Sequence, residues 1–163
     1  MNTPKQLYAR FPYMFAGKDL GITLYKGWFL LFAKLCQDID DVLGADKRNF
    51  HWAQVKEKFG AARWYFSMQN MHATVAVNEI GSDGVVTSLY RTLVRDVESI
   101  SSHVSRLVHA AETLTHATCI VCGEPGKLDS HGGYILVLCV KHARQRIGGG
   151  SLPQYLFDEA DQV

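Results

Sequence analysis

Two hydrophobic periods alternate along this chain. In "YKGWFLLFAKLCQDIDDVLG", Trp28, Phe32, Leu35, Ile39 and Val42 recur at steps of three and four, while Asp38, Asp40 and Asp41 fall between them. That spacing predicts a helix with one apolar stripe, stopped by Gly44. Cys36 lies beside the stripe and reads as a small buried hydrophobe rather than a nucleophile. The next stretch, "HWAQVKEKFGAARWYFSM", alternates instead and carries Phe59-Gly60 near its centre, which predicts a β-hairpin. Pleating would put Ala53, Val55, Phe59, Ala62, Trp64, Phe66 and Met68 on a core face. It would put Trp52, Gln54, Lys56, Lys58, Arg63 and Tyr65 on the other, with Glu57 out of place on the first. "HATVAVNEI" predicts a third strand, and "GSDG" a turn after it.

From about Val85 to Thr115 the helical period returns. Leu89, Leu93, Val97, Ile100, Val104, Leu107, Ala111 and Leu114 follow one another almost as a heptad seam. Such a stripe packs on the sheet, or alternatively pairs with a second copy and makes a homodimer through the long helix. His103 and His109 stand too far apart in helical phase to share a ligand.

The last third holds the clearest candidate chemistry. Cys119 and Cys122 form a CxxC followed by Gly123, and Cys139 and His142 form a CxxH at the start of "CVKHARQRI", a helix that Gly148–Gly150 would end. A CxxC turn presents two thiolates to one cation, and residues three apart on a helix share a face. Between the pairs, "KLDSHGGYILVL" predicts a short hairpin turning at Gly132-Gly133. Knuckle, hairpin and helix in that order give a treble-clef-like module holding a structural Zn2+ in a closed shell of three sulfurs and one imidazole. His116 could compete as a ligand, but the two pairs already complete the shell.

The expected fold class is therefore α+β: a small antiparallel sheet, the hairpin plus a third strand, packed with two main helices and followed by the zinc module. The expected organisation is a body over 1–116, a zinc-binding module over 117–148 packed on that body, and a flexible tail over 149–163 at the hinge-like "GGGS", with "LPQYLFDEADQV" folding back on the core, fraying or acting as a docking peptide.

Composition narrows the function. The chain has 163 residues, 47% hydrophobic and 20% charged, with a formal net charge of +1, so bulk attraction to nucleic acid or to an anionic membrane is excluded. The start lacks an apolar signal core, and the run Trp28 to Leu35 is too short to span a bilayer. A cytoplasmic protein with reduced thiols is expected, which favours metal over disulfides. No phosphate-binding Gly-rich loop, nucleophile elbow or carboxylate pair appears. "DSH" (Asp129 to His131) ahead of "LCVKH" resembles the scaffold of His-Asn-His nucleases. The loop is too short for a second cation site, however, and no Asn lies between Cys122 and His142. Locally, Lys56, Lys58 and Arg63 interleaved with Trp52 and Tyr65 suit phosphate contact and base stacking, but a solvated sheet face whose cations serve solubility is the favoured reading.

"FPYMF", "GWFLLFAKLCQDI", "QVKEKFGAARWYF", "CIVCGEPGKL" and "LCVKHA", in that order, resemble a family of small uncharacterised proteins of tailed bacteriophages and prophages. The resemblance spans most of residues 11–143, with Ala62 where leucine is usual. It implies that Cys119, Cys122, Cys139 and His142 are metal ligands and that the VKEKFG-x-x-R-x-Y hairpin is a family signature. It implies a setting, the bacterial host cytoplasm, and no particular activity. The expectation is a non-enzymatic accessory protein that binds a host or phage protein. A nucleic-acid binder using the basic hairpin face is the alternative, and a metal-dependent nuclease the second alternative.

Overall fold

The computed structural model describes residues 2–17, 21–47, 49–68 and 85–157, the side chains of 85–99 excepted. Nine main elements follow in chain order: α1 (Pro4–Arg10), β1 (Gly21–Ile22), α2 (Phe29–Leu43), β2 (His51–Lys58), β3 (Ala61–Ser67), α3 (Val85–Thr115), β4 (Lys127–Asp129), β5 (Leu136–Leu138) and α4 (Val140–Ile147). The fold is α+β, with a three-stranded sheet in the order β1-β2-β3 and a two-stranded one, β4-β5.

α1 has a start signal that periodicity alone passes over. Thr3 caps it by accepting a hydrogen bond from the Gln6 N–H, the Gln6 side chain reaches back to the Asn2 N–H, and Pro4 opens the first turn. This is a capping box one residue out of register, with proline where its missing donor does no harm. α2 forms where its stripe predicts, with Trp28, Phe29, Phe32, Ala33, Leu35, Cys36, Ile39 and Leu43 buried and Gly44 closing the helix at φ 61°. Burial pushes the Cys36 thiol far above its ordinary range, so it is inert packing.

β2 and β3 are antiparallel and joined by a two-residue turn, with Lys58 opposite Ala61 and both Phe59 (φ 55°) and Gly60 (φ 79°) left-handed. Left-handed values at both turn positions match the right-handed twist of the flanking strands. The anticipated faces hold from Gln54 to Tyr65, apart from the turn. They fail at the start of β2, where the register shifts between Trp52 and Gln54. The shift takes one residue out of the alternation. Trp52 is therefore fully buried, wedged between Phe32 and Phe50, while Ala53 is exposed. Placing Trp52 on the binding face is corrected on this ground. Phe59 is corrected too, because the turn carries its ring out to 70% exposure. Glu57, the odd residue on the core side, accepts the Gly60 N–H at 2.7 Å and so closes the turn.

The third strand of the sheet is β1, parallel to β2. The strand anticipated in "HATVAVNEI" lies outside the described residues. β3 forms the opposite edge, and side chains of α3 satisfy it. The Ala62 N–H donates to Thr115 Oγ1 at 3.1 Å and the Trp64 N–H to Glu112 Oε1 at 2.6 Å. An edge strand is thus covered by a helix rather than left as a template for pairing. Along α3, Val104, Val108 and Thr115 are buried, with Ile100, Leu107 and Ala111 partly so, whereas Leu114 is 55% exposed. The buried stripe follows a straight helix of 3.6 residues per turn and not the heptad seam, which would have ended on Leu114. This half of α3 packs within the chain, against α2 and β3.

The C-terminal third has no separate core. Cys119, Ile120, Val121, Leu136, Leu138 and Cys139 belong to one buried cluster with Trp28, Phe32 and Trp64. The segment after Gly150, anticipated as flexible, folds back as far as it is described. The Lys26 N–H donates to the Tyr155 carbonyl at 2.8 Å, Tyr155 stacks on Tyr25, and Phe157 packs edge-on to Phe29. Aromatic burial supplies the reason that composition alone did not. No helix among the described residues is long and apolar enough to cross a membrane.

The covered edge is open to test. Thr115→Val keeps the shape of a fully buried side chain but deprives the Ala62 N–H of its acceptor. Urea unfolding should show a loss of about 1–3 kcal/mol. Unchanged stability would mean that this bond contributes nothing to the edge.

Candidate metal centre

The two pairs of ligand residues converge because four short elements meet. Cys119 and Cys122 sit on a tight turn in which the Gly123 N–H donates to the Cys119 carbonyl at 2.9 Å, with Gly123 at φ 81°. A residue with a side chain would be strained there. The Cys119 N–H donates to the Glu124 carbonyl at 2.8 Å, and a bridge between Thr118 and Pro125 closes the base of the knuckle. The Ile120 N–H donates to the Val137 carbonyl at 3.0 Å, which ties the knuckle to β5. β5 then delivers Cys139 to the N-cap of α4, and His142 follows one turn later. β4 and β5 pair as anticipated, with Gly132 and Gly133 both left-handed in the connection.

The ligand atoms of Cys119, Cys122, Cys139 and His142 all lie within 4.8 Å of one another. Cys122 Sγ is 3.8 Å from Cys139 Sγ, and His142 Nδ1 is 3.2 Å from Cys139 Sγ and 3.4 Å from Cys119 Sγ. Around a tetrahedral ion with sulfur at about 2.3 Å and nitrogen at about 2.0 Å, the expected edges are ~3.8 Å for S···S and ~3.5 Å for S···N. The cluster therefore has the size of a metal site, and its four cysteine and histidine donors could hold one ion. No disulfide joins any cysteine. Among the described residues it is the only group of three or more His, Cys, Asp or Glu of this kind.

The electrostatics favour a cation. Cys119, Cys139 and His142 are buried, and Cys122 faces solvent. Although Cys122 is the exposed member, partial desolvation of its sulfur, with the Cys119 and Cys139 sulfurs close by, outweighs the Glu124 N–H and pushes its thiol up to about 11. Burial also works against ionising Cys139, but the N–H of His142 and the neighbouring thiols outweigh it and bring Cys139 below its ordinary value. Burial, then the Lys141 charge, lowers His142, which keeps its imidazole neutral and its lone pair available near pH 7. Three sulfurs this close cannot all ionise without a positive partner, and a divalent ion is the natural one.

One contact seats the centre on the body, and spacing alone did not reveal it. The Gly27 N–H donates to the Ile120 carbonyl at 3.0 Å, and the Trp28 indole donates to the Thr118 carbonyl at 2.9 Å. A Cβ on Gly27 would lie 2.1 Å from the Cys119 carbonyl oxygen, and one on Gly123 would lie 2.9 Å from the Gly27 carbonyl oxygen. Two glycines from distant parts of the chain thus face each other. The Gly-Trp pair ahead of α2 was the available signal. Its meaning depended on a partner more than ninety residues further along the chain.

Of the residues anticipated at a basic face, Lys56 and Arg63 stand opposite each other across β2 and β3, and Gln54 stands opposite Tyr65. Lys58 lies next to the turn, and Trp52 is in the core. Of the "DSH" motif, the Asp129 side chain is tied up structurally, while His131 is exposed. Asp129 pairs with Arg146 at 2.7 Å with both side chains largely buried, and its Oδ1 also accepts the His131 N–H at 3.2 Å. His116 is not in the cluster.

No family model, curated protein or solved structure matches this chain.

Gly27→Ala tests the seating. The added methyl has only backbone to meet, so the knuckle must move, and overpacking of this kind costs about 1–3 kcal/mol or more. The variant should melt at lower temperature and bind metal more weakly in a competition titration. Parental values for both would show that the knuckle does not depend on this contact.

Proposed function

We propose that this protein is a non-enzymatic binding module, a bacteriophage accessory protein stiffened by a structural zinc ion in a treble-clef-like site, and that it works by engaging a host or phage protein. The observation that carries the structural half is the Cys119, Cys122, Cys139 and His142 cluster, which is anchored in the continuous core through Cys119 and Cys139. Thiolate-rich tetrahedral sites with one imidazole suit zinc, and four protein donors leave no position for a reacting water. Knuckle, β4–β5 hairpin and α4 supply the ligands in the treble-clef order. The phage setting rests on the resemblance of the hairpin and the cysteine motif, and engagement of a protein partner, such as a host defence factor, follows from that setting.

A nuclease reading is disfavoured. Asp129 is held by Arg146, and among the described residues no second cluster of metal-binding side chains accompanies the first. A nicking assay with added magnesium or manganese should show no cleavage.

Zinc is expected at one ion per chain by elemental analysis. Stripping it with a strong chelator should leave the segment from Thr118 onward open to proteolysis, because the binding energy of a structural ion is part of the folding energy. Cys122→Ser should behave likewise. Equal protease resistance with and without metal would refute the structural role. For the partner, affinity capture from host lysate should recover a stoichiometric protein that survives nuclease treatment, and recovery that vanishes with nuclease would overturn the protein-partner reading.

A further inference from the structure

We propose that the hairpin face carrying Lys56, Lys58, Phe59, Arg63 and Tyr65 binds single-stranded nucleic acid, a role separate from the metal centre and independent of the protein-partner reading above. Lys56 and Arg63 are direct cross-strand partners, and like charges placed so oppose strand pairing unless something anionic sits between them. Among the described residues none of the three cations has a carboxylate partner. Lys56 bonds to the Gln54 side chain and Arg63 to the Ala62 carbonyl. The nearby Glu57 is committed to the turn, accepting from the Gly60 N–H and, at 3.4 Å, from the Tyr134 hydroxyl. Among the described residues, therefore, no carboxylate neutralises the positive charge of this face, on a protein of net charge +1.

Aromatic rings are interleaved with those cations. Tyr65 is 49% exposed and Phe59 70%. The Lys56 ammonium lies 5.7 Å from the Tyr65 ring centroid, and the Lys58 ammonium 5.3 Å from that of Phe59. Phe59 is the more telling residue. It occupies a left-handed turn position, φ 55°, that favours glycine or asparagine, yet its ring is not buried in return. A strained, exposed aromatic whose one recorded ring contact is the neighbouring Lys58 ammonium gains no burial in return, and such outliers point towards function. Exposed ring faces beside phosphate-binding cations suit bases that are unstacked and free. A duplex hides its base faces, so it would engage the cations but not the rings.

The test uses the metal-loaded full chain and fluorescence anisotropy with a labelled oligonucleotide of about 20 nucleotides, longer than a typical single-strand site. Single strands of DNA or RNA should bind at least about tenfold more tightly than the same sequence as a duplex, with affinity falling as salt rises at a slope of about −0.7 per phosphate neutralised. Lys56→Ala should weaken binding and make that slope shallower by about 0.7. Phe59→Gly is the decisive variant, since glycine fits the turn. Its melting temperature should hold or rise while its affinity drops several-fold. The proposal is overturned if duplex binds as well as single strands, if Phe59→Gly leaves affinity unchanged, or if polyglutamate displaces the oligonucleotide as effectively as unlabelled single strand does. The last result would assign the face to an acidic protein.

Discussion

The contact between Gly27 and the 119–123 knuckle holds this molecule together. Where α2 begins, backbone meets backbone with no side chain between, so the knuckle is built directly onto the helix that carries the core. Phe32, four residues into that helix, touches both Trp52 and Trp64 of the sheet. The position of the cysteine ligands is in this way referred to the same helix that positions the hairpin. A structural ion in such a place would fasten the last third of the chain to the first, and would do more than close a local loop. Aromatic packing and hydrogen bonds spread around this joint, but they presuppose its close approach.

A second constraint acts on the other side of the sheet. β3 would be an open edge without α3, whose Glu112 and Thr115 accept its outward N–H groups. Thr115 also donates to the Glu112 carbonyl at 2.5 Å, so the two acceptors are themselves linked. The polar groups of a buried edge have to be satisfied somewhere, and a helix laid alongside does this while adding apolar contact. α3 runs from this edge directly into the knuckle through the turn at 116–118. The sheet edge and the Cys119, Cys122, Cys139 and His142 cluster are therefore neighbours in sequence as well as in space.

Local features of this fold were legible in the sequence to the extent that they depend on near neighbours. The stripe of α2, the Phe59-Gly60 turn, the extent of α3 and the grouping of Cys119, Cys122, Cys139 and His142 each follow from spacing within a few residues or from donor chemistry. Features decided by distant partners were not legible. The register shift that buries Trp52 costs one residue of alternation, and its return is the pocket between Phe32 and Phe50, which no local pattern shows. The difference between Leu114 and Thr115 turns on helix phase accumulated over several turns, and on whether the partner surface is a twisting helix or a sheet edge. The return of Tyr155 and Phe157 needed a docking site that exists only once Tyr25 and Phe29 are in place.

That return gives the chain a particular order of events. Lys26 receives its backbone partner from Tyr155 and Gly27 receives its own from Ile120, so the approach to the first long helix is finished by residues that follow it at long range in the sequence. During synthesis, which runs far more slowly than helices and hairpins form, α2 and the β2–β3 hairpin can be assembled early, yet the segment leading into α2 must wait until Ile120 and Tyr155 have left the ribosome. A truncated or stalled product would present the aromatic surface of Tyr25, Trp28 and Phe29 uncovered, which is the kind of surface that chaperones and proteases recognise. Synthesis through residue 157 is thus built into the fold as a condition for the survival of this unit in the cell.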